Sequence, residues 1–157
     1  RLPPFQTLLD AHAQDVHRFL LATIGPVDAD DCYQETWLAA LRAYPQVRET
    51  SNLRSWLFTI AHHKAIDHVR ARARQATPVA EPGDLDSAPT AEQPATADGD
   101  LWSAVAALPD KQRTAVALRF IADSAYAEIA EAMEISEPAA RRNVHEGLKR
   151  LREEQMR

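Results

Sequence analysis

The chain has 157 residues, 45% of them hydrophobic and 26% charged, with a net charge of −5; this is an ordinary soluble composition, long enough for one medium domain or two small ones. One cysteine, Cys32, excludes an internal disulfide framework and fits a reducing compartment. No apolar run approaches the ~20 residues of a membrane span, and the opening RLPPFQTLLD lacks the charged-then-apolar layout of a secretory signal, so a cytoplasmic protein is expected.

The first predicted element, FQTLLDAHAQDVHRFLLATIG, places Leu8 or Leu9, Ala13, Val16, Phe19, Leu20 and Ile24 at helical spacing. Gly25-Pro26 ends it. A second helix, DADDCYQETWLAALRAYP, is expected to start at Asp28 or Asp30 as N-cap, with acids in the first turn where the helix dipole favours them. Its apolar stripe reads Cys32 or Tyr33, Trp37, Ala40, Leu41 and Tyr44, and Pro45 stops it. After the turn QVRETSN a longer helix is predicted over about Leu53 to Arg74. Leu57, Ala61, Ala65 and Val69 recur every four residues, with Trp56 and Ile60 beside them, while Thr59, His63, Arg70 and Arg74 share a polar face.

Residues 76–100 break this pattern. They contain six acidic residues, no basic one and almost no large apolar side chain. Such a segment cannot bury enough surface to offset the entropy of ordering, so a disordered acidic linker is expected there. The two flanks are near neutral, and the acidity of the chain belongs to the linker.

The second flank begins with a helix up to Leu108, and Pro109 opens the next, with Ala115, Leu118 and Phe120-Ile121 as core candidates. AYAEIAEAM reads as a short helix. Three residues later Ser136 can cap another, with Pro138 tolerated in its first turn. Two helices joined by so short a turn make a helix-turn-helix, whose second member is shaped for a major groove. On that helix Ala140, Val144, Leu148 and Leu151 face a core, while Arg141, His145 and Lys149, flanked by Arg142 and Arg152, point outward. Outward cations neutralise phosphates and donate to guanine edges. The linker does not cancel them, because charges beyond about 8 Å are largely screened at physiological salt. A solvated charged face is the blander reading of the same pattern; the Ser cap, the preceding short helix and the arginines at the helix start favour DNA.

Three stretches, DADDCYQETWLAALRAY, NLRSWLFTIAHHKAIDHVRARAR and LPDKQRTAVALRF with YAEIAEAMEIS, occur in this order. Through them the chain resembles an extracytoplasmic-function sigma factor, a compact bacterial sigma factor of the sigma-70 family. The resemblance implies an all-α chain of two small domains: a sigma region 2-like bundle over 1–75 and a region 4-like helix-turn-helix over 101–157, joined by the linker over 76–100. It implies a protein that is not an enzyme and needs no cofactor or metal. The implied partners are RNA polymerase core, through its β-prime and β subunits, promoter DNA, and an anti-sigma factor that wedges between the domains.

By the same resemblance, Asp31, Gln34 and Glu35, with Arg42 nearby, dock on the clamp coiled coil of the polymerase. Ser51, Asn52, His63, Arg70 and Arg74 separate the strands of the −10 element and hold a flipped base, a task that requires a polar pocket able to repay unstacking. Ser136, Glu137, Arg141, Arg142, His145 and Lys149 belong to the helix that reads the −35 element. The chain departs from the family pattern at His63 (commonly Asn), Ala125 (commonly Ser), Glu134 (commonly Gly) and Glu146 (commonly basic), and it carries Gly147 inside the recognition helix. Three readings compete, one of them a helical interaction protein that acts as an antagonist by mimicking a sigma factor. A helix-turn-helix regulator without polymerase contact explains residues 125–152 but leaves the acidic helix and the RETSN turn without a task. A metal enzyme built on His62, His63, His68 and Cys32 lacks a glutamate base beside them, and His62 and His63 point apart on a helix.

Overall fold

A computed structural model describes residues 2–48, 52–76 and 103–155, and these residues form helices and turns with no strand among them. The predicted linker lies almost wholly outside the described residues. Helix α1 (Phe5–Ile24) is followed after one residue by α2 (Pro26–Ala43), a 3-10 turn (Tyr44–Gln46) and α3 (Leu53–Ala76). The second flank contains the short α4 (103–106), then α5 (Asp110–Phe120), α6 (Tyr126–Met133) and α7 (Glu137–Gln155).

The hinge between α1 and α2 is Gly25, with φ 85° and ψ 168°, a backbone region essentially restricted to glycine. Its N–H bonds the carbonyl of Leu21, and Pro26 takes the first position of α2, where a missing N–H costs nothing. Helix α2 therefore starts before Asp28 and Asp30, and neither is its N-cap. Asp28 lies in the first turn, as the dipole argument anticipates.

Helices α1, α2 and α3 pack on one another. Val16, Phe19 and Leu20 meet Ala29, Cys32 and Ala40 of α2 and Leu57, Phe58 and Ala61 of α3, all essentially solvent-free. The rings of Phe19 and Phe58 pack edge to face at 5.5 Å; burying side chains of this size stabilises the fold by roughly 1.5–3 kcal/mol each. Leu8, not Leu9, is the buried member of that pair. Three expected core residues are exposed instead: Leu41 and Val69, each more than half accessible, and Phe120, whose neighbour Ile121 is buried.

Helices α5, α6 and α7 form the second group, around Ala115, Val116, Leu118, Ile129, Ala140, Val144 and Leu151. Ser136 caps α7 through its Oγ, which accepts from Ala139 N at 3.2 Å. Helix α6 has only half a capping box: Glu128 Oε1 accepts from the N–H of Ala125 at 2.8 Å, and alanine returns no bond. Neither Asp123 nor Ser124 replaces it; Ser124 is buried, with its N–H on Leu118 O and its carbonyl accepting from Arg119. Glu134 ends α6 in the left-handed conformation, φ 57° and ψ 44°, at a cost of about 1 kcal/mol that glycine escapes. The turn thus takes a backbone that favours glycine and carries the strain.

Gly147 has a packing reason. A Cβ there would lie 2.6 Å from Val116 Cγ2 on α5. Gly147→Ala gains helix propensity of about 1 kcal/mol but must displace a buried, β-branched side chain, an overpacking cost of about 1–3 kcal/mol. The expected outcome is a lower urea midpoint, whereas an unchanged or raised midpoint would show that α5 and α7 separate without penalty.

Candidate nucleic-acid interface and docking face

Asp31, Gln34, Glu35 and Arg42 all lie on exposed positions of α2. Glu35 is not isolated: its Oε2 meets Nε2 of His68 on α3 at 2.7 Å. One turn along α3, Arg72 pairs with Asp28 at 3.0 Å. Beside Gln34 an open apolar groove is lined by Phe5, Leu9, Tyr33, Trp37, Leu38 and Leu41. Buried Trp37 Nε1 has no hydrogen-bond partner among the described residues. The groove went unnoticed in the sequence, where Leu41 fitted a core stripe; the leucine pair at 38 and 41 was its only signal.

The expected −10 residues divide. Ser51 lies outside the described residues. Asn52 is the N-cap of α3: its Oδ1 accepts from Ser55 N at 3.2 Å, and its Nδ2 donates to Glu128 Oε2 of the helix-turn-helix at 2.9 Å. His63, Arg70 and Arg74 are exposed on α3, and their sequence spacing places them on one side of that helix. His62 is buried at 6% accessibility, and burial, with His63 alongside, lowers its pKa to about 4. The unfolded chain binds a proton near pH 6.5 that the folded chain refuses. His62 therefore contributes stability above about pH 6.5 that is lost as pH falls through 4, about 2 kcal/mol after allowance for relaxation. Urea midpoints should drop between pH 7 and pH 4.5, and His62→Gln should flatten that slope; an equal slope in both proteins would assign the effect elsewhere.

On α7, Arg141, Arg142, His145 and Lys149 are exposed, as are Ser136 and Glu137. Arg141 Nη2 donates to Glu137 Oε1 at 2.8 Å. Its guanidinium also lies over the ring of Tyr126, 4.5 Å from the centroid, and Arg119 lies over the same ring at 4.3 Å. These contacts favour a defined direction for Arg141. Tyr126 and Arg119 were not picked out in the sequence; an aromatic residue opening a helix-turn-helix is a weak sign by itself. Glu146 is half-buried, so it is less open to phosphate than its position in the sequence suggests.

Arg54 joins the two groups of helices. Its Nε and Nη2 donate to the carbonyls of Ala122 and Ile121, both at 2.6 Å, just beyond the C-terminus of α5. It also reaches His12 Nδ1 at 3.1 Å and Asp15 at 3.3 Å and lies over Phe58. A cation suits the negative end of a helix.

The residues of the metal reading do not converge: among the described residues no three His, Cys, Asp or Glu side chains are placed to share an ion. Burial pushes the Cys32 thiol up to about 11, which keeps it protonated and a poor ligand.

An acidic-faced helical bundle followed by a capped helix-turn-helix with an outward basic face defines a two-module, DNA-binding transcription protein. Residues 8–75 match the family model described as Sigma-70 region 2, and residues 98–151 match Sigma-70, region 4. The chain is 34% identical over 132 residues to the ECF RNA polymerase sigma factor SigF of Caulobacter vibrioides, covering 82% of this chain and 72% of that protein. It is 28% identical over 158 residues to the ECF RNA polymerase sigma factor SigX of Bacillus subtilis, covering 94% and 81%. Its fold is similar to that of the sigma factor RpoE of Bartonella quintana, crystallised with the anti-sigma factor NepR: TM-score 0.77, 22% identity, 97% of this chain and 96% of that one. The chain belongs to the extracytoplasmic-function sigma factors of the sigma-70 family. Its function is to bind RNA polymerase core and direct promoter recognition and transcription initiation.

Proposed function

We propose that the outer face of α2 docks this sigma factor on the polymerase clamp, with Asp31, Gln34 and Glu35 at the contact and Arg42 at its edge. In this reading the capped turn before α3, with Asn52, and the face bearing His63, Arg70 and Arg74 engage the −10 element. Helix α7 reads the −35 element through Arg141, Arg142, His145 and Lys149, with Ser136 and Glu137 at its start. The observation that carries this is the separation of charge: exposed acids on one helix, exposed cations on another, each backed by a buried apolar face. Asn52 must give up Glu128 to meet DNA, so the packed arrangement described here is a state that precedes −10 recognition. A partner of the anti-sigma type, like the NepR crystallised with the structurally similar RpoE, would act on such an arrangement. The protein works in the cytoplasm, where the polymerase is; no described helix is long and apolar enough to cross a membrane.

The test is reconstitution. Added to core polymerase, the chain should bind it and support initiation at a cognate promoter. Arg141→Ala with Arg142→Ala should weaken binding to the −35 element about tenfold or more and make its salt dependence shallower. Unaltered promoter affinity and salt slope would remove α7 from its assigned role, and promoter binding without any core binding would leave a helix-turn-helix regulator.

A further inference from the structure

Glu35 stands at the edge of the α2 outer face that borders α3. A glutamate on an exposed helix samples many rotamers, and a docking partner must select the productive one. Here that choice is restricted before docking. His68 Nε2 and Glu35 Oε2 lie at 2.7 Å; the histidine side chain is 21% accessible and the carboxylate side 53%. The inner, better-covered group thus holds the outer one and leaves much of it open. Arg72 follows His68 by one helical turn and holds Asp28 at 3.0 Å, while the Asp28 side chain is only 19% accessible. The two contacts form a pair of rungs between α2 and α3. Only the His68 rung ends on a carboxylate that remains half open.

The same helix α3 carries His63, Arg70 and Arg74. Relative to them, His68 and Arg72 fall on the opposite side by helical spacing, together with the buried positions 61 and 65. His68 therefore faces α2 and is not a member of the DNA-facing set.

The geometry points to His68 as a positioning residue for core docking: through its bond to Glu35 Oε2 it presents the free part of that carboxylate to the polymerase. This inference rests on the assignment of Glu35 to the docking face. It adds a residue that does not itself touch the polymerase, in a helix otherwise assigned to DNA.

A double-mutant cycle on core binding tests it, with the full chain and purified core polymerase in a fluorescence competition assay. His68→Ala should weaken core binding roughly two- to fivefold, the range of a partly exposed pair. In a Glu35→Ala background the same substitution should change affinity by less than about 1.5-fold, because the group it positions is gone. His68→Gln, which retains a side-chain N–H donor, should recover most of the loss. Thermal melts of the four proteins by circular dichroism separate positioning from unfolding. If His68→Ala leaves affinity unchanged while Glu35→Ala weakens it, or if its effect persists undiminished without Glu35, the inference is overturned and the docking face stands. If Glu35→Ala itself has no effect, the assignment of Glu35 to docking fails and the role of His68 falls with it.

Discussion

Replacing Asp31 and Glu35 together with lysine is expected to abolish binding to RNA polymerase core, by a factor of 100 or more, with helix content unchanged. Both side chains are exposed on α2, so neither contributes to the apolar core between α1, α2 and α3. Reversal changes the local charge by four units on a face proposed to meet a cationic partner. Like-charge juxtaposition across an interface costs several kcal/mol, and a hundredfold loss needs only about 2.7 kcal/mol. The fold loses far less. Glu35 gives up a partly exposed contact with His68, which contributes up to about 1 kcal/mol, and the two lysines are good helix formers. Core binding followed by native competition, alongside far-ultraviolet circular dichroism, checks both halves of this expectation. Undiminished core affinity would mean that the polymerase uses another surface.

Removal of the Arg54 side chain should separate the two groups of helices. The two carbonyls it caps belong to residues 67 and 68 positions away in the chain, and both bonds are short and charge-assisted. Hydrogen bonds of that kind contribute about 1.5–3 kcal/mol each. Allowing for an arginine side chain that is 28% accessible, Arg54→Ala should cost the packed arrangement about 2–4 kcal/mol. Arg54→Lys should rescue little, because one ammonium cannot present the forked donors that meet both carbonyls while its stem covers Phe58. The expected readout is a larger radius of gyration by small-angle X-ray scattering, with helix content retained. An unchanged radius would show that the packing of α5 against α1 holds the arrangement without the clamp. Acid should act in the same direction. Burial, then the neighbouring Arg54, hold the His12 pKa below its ordinary value, so the ring is a neutral acceptor near pH 7. Protonation at low pH removes that acceptor and sets a cation against the guanidinium.

Much of the architecture was readable locally. Ser136 and the stripe through Ala140, Val144 and Leu151 mark α7 within a few residues, because a cap and a 3.6-residue period are properties of adjacent sequence. The start of α2 was misplaced for an equally local reason. Asp28 and Asp30 each resemble an N-cap, but Gly25, held in a conformation open only to glycine, lets Pro26 begin the helix earlier. Leu41, Val69 and Phe120 fit helical stripes and yet remain exposed, since periodicity says which side a residue occupies and not whether a neighbouring helix reaches it. His62 shows the converse: a polar residue lies in the core because α3 packs closely on α1 and α2 at that level.

The amino-acid sequence by itself determined that this is an all-helical chain, where its helices lie, which helix carries acids and which carries cations, and the sigma-factor family to which it belongs. These follow from spacing, capping and composition over short distances. Only the tertiary structure decided that Glu35 is held by His68, that Asn52 is engaged by Glu128, that Arg54 clamps the end of α5, and that Gly147 is required by Val116. Each joins residues far apart in the chain, and such contacts depend on how helices seat against one another, which no local pattern encodes.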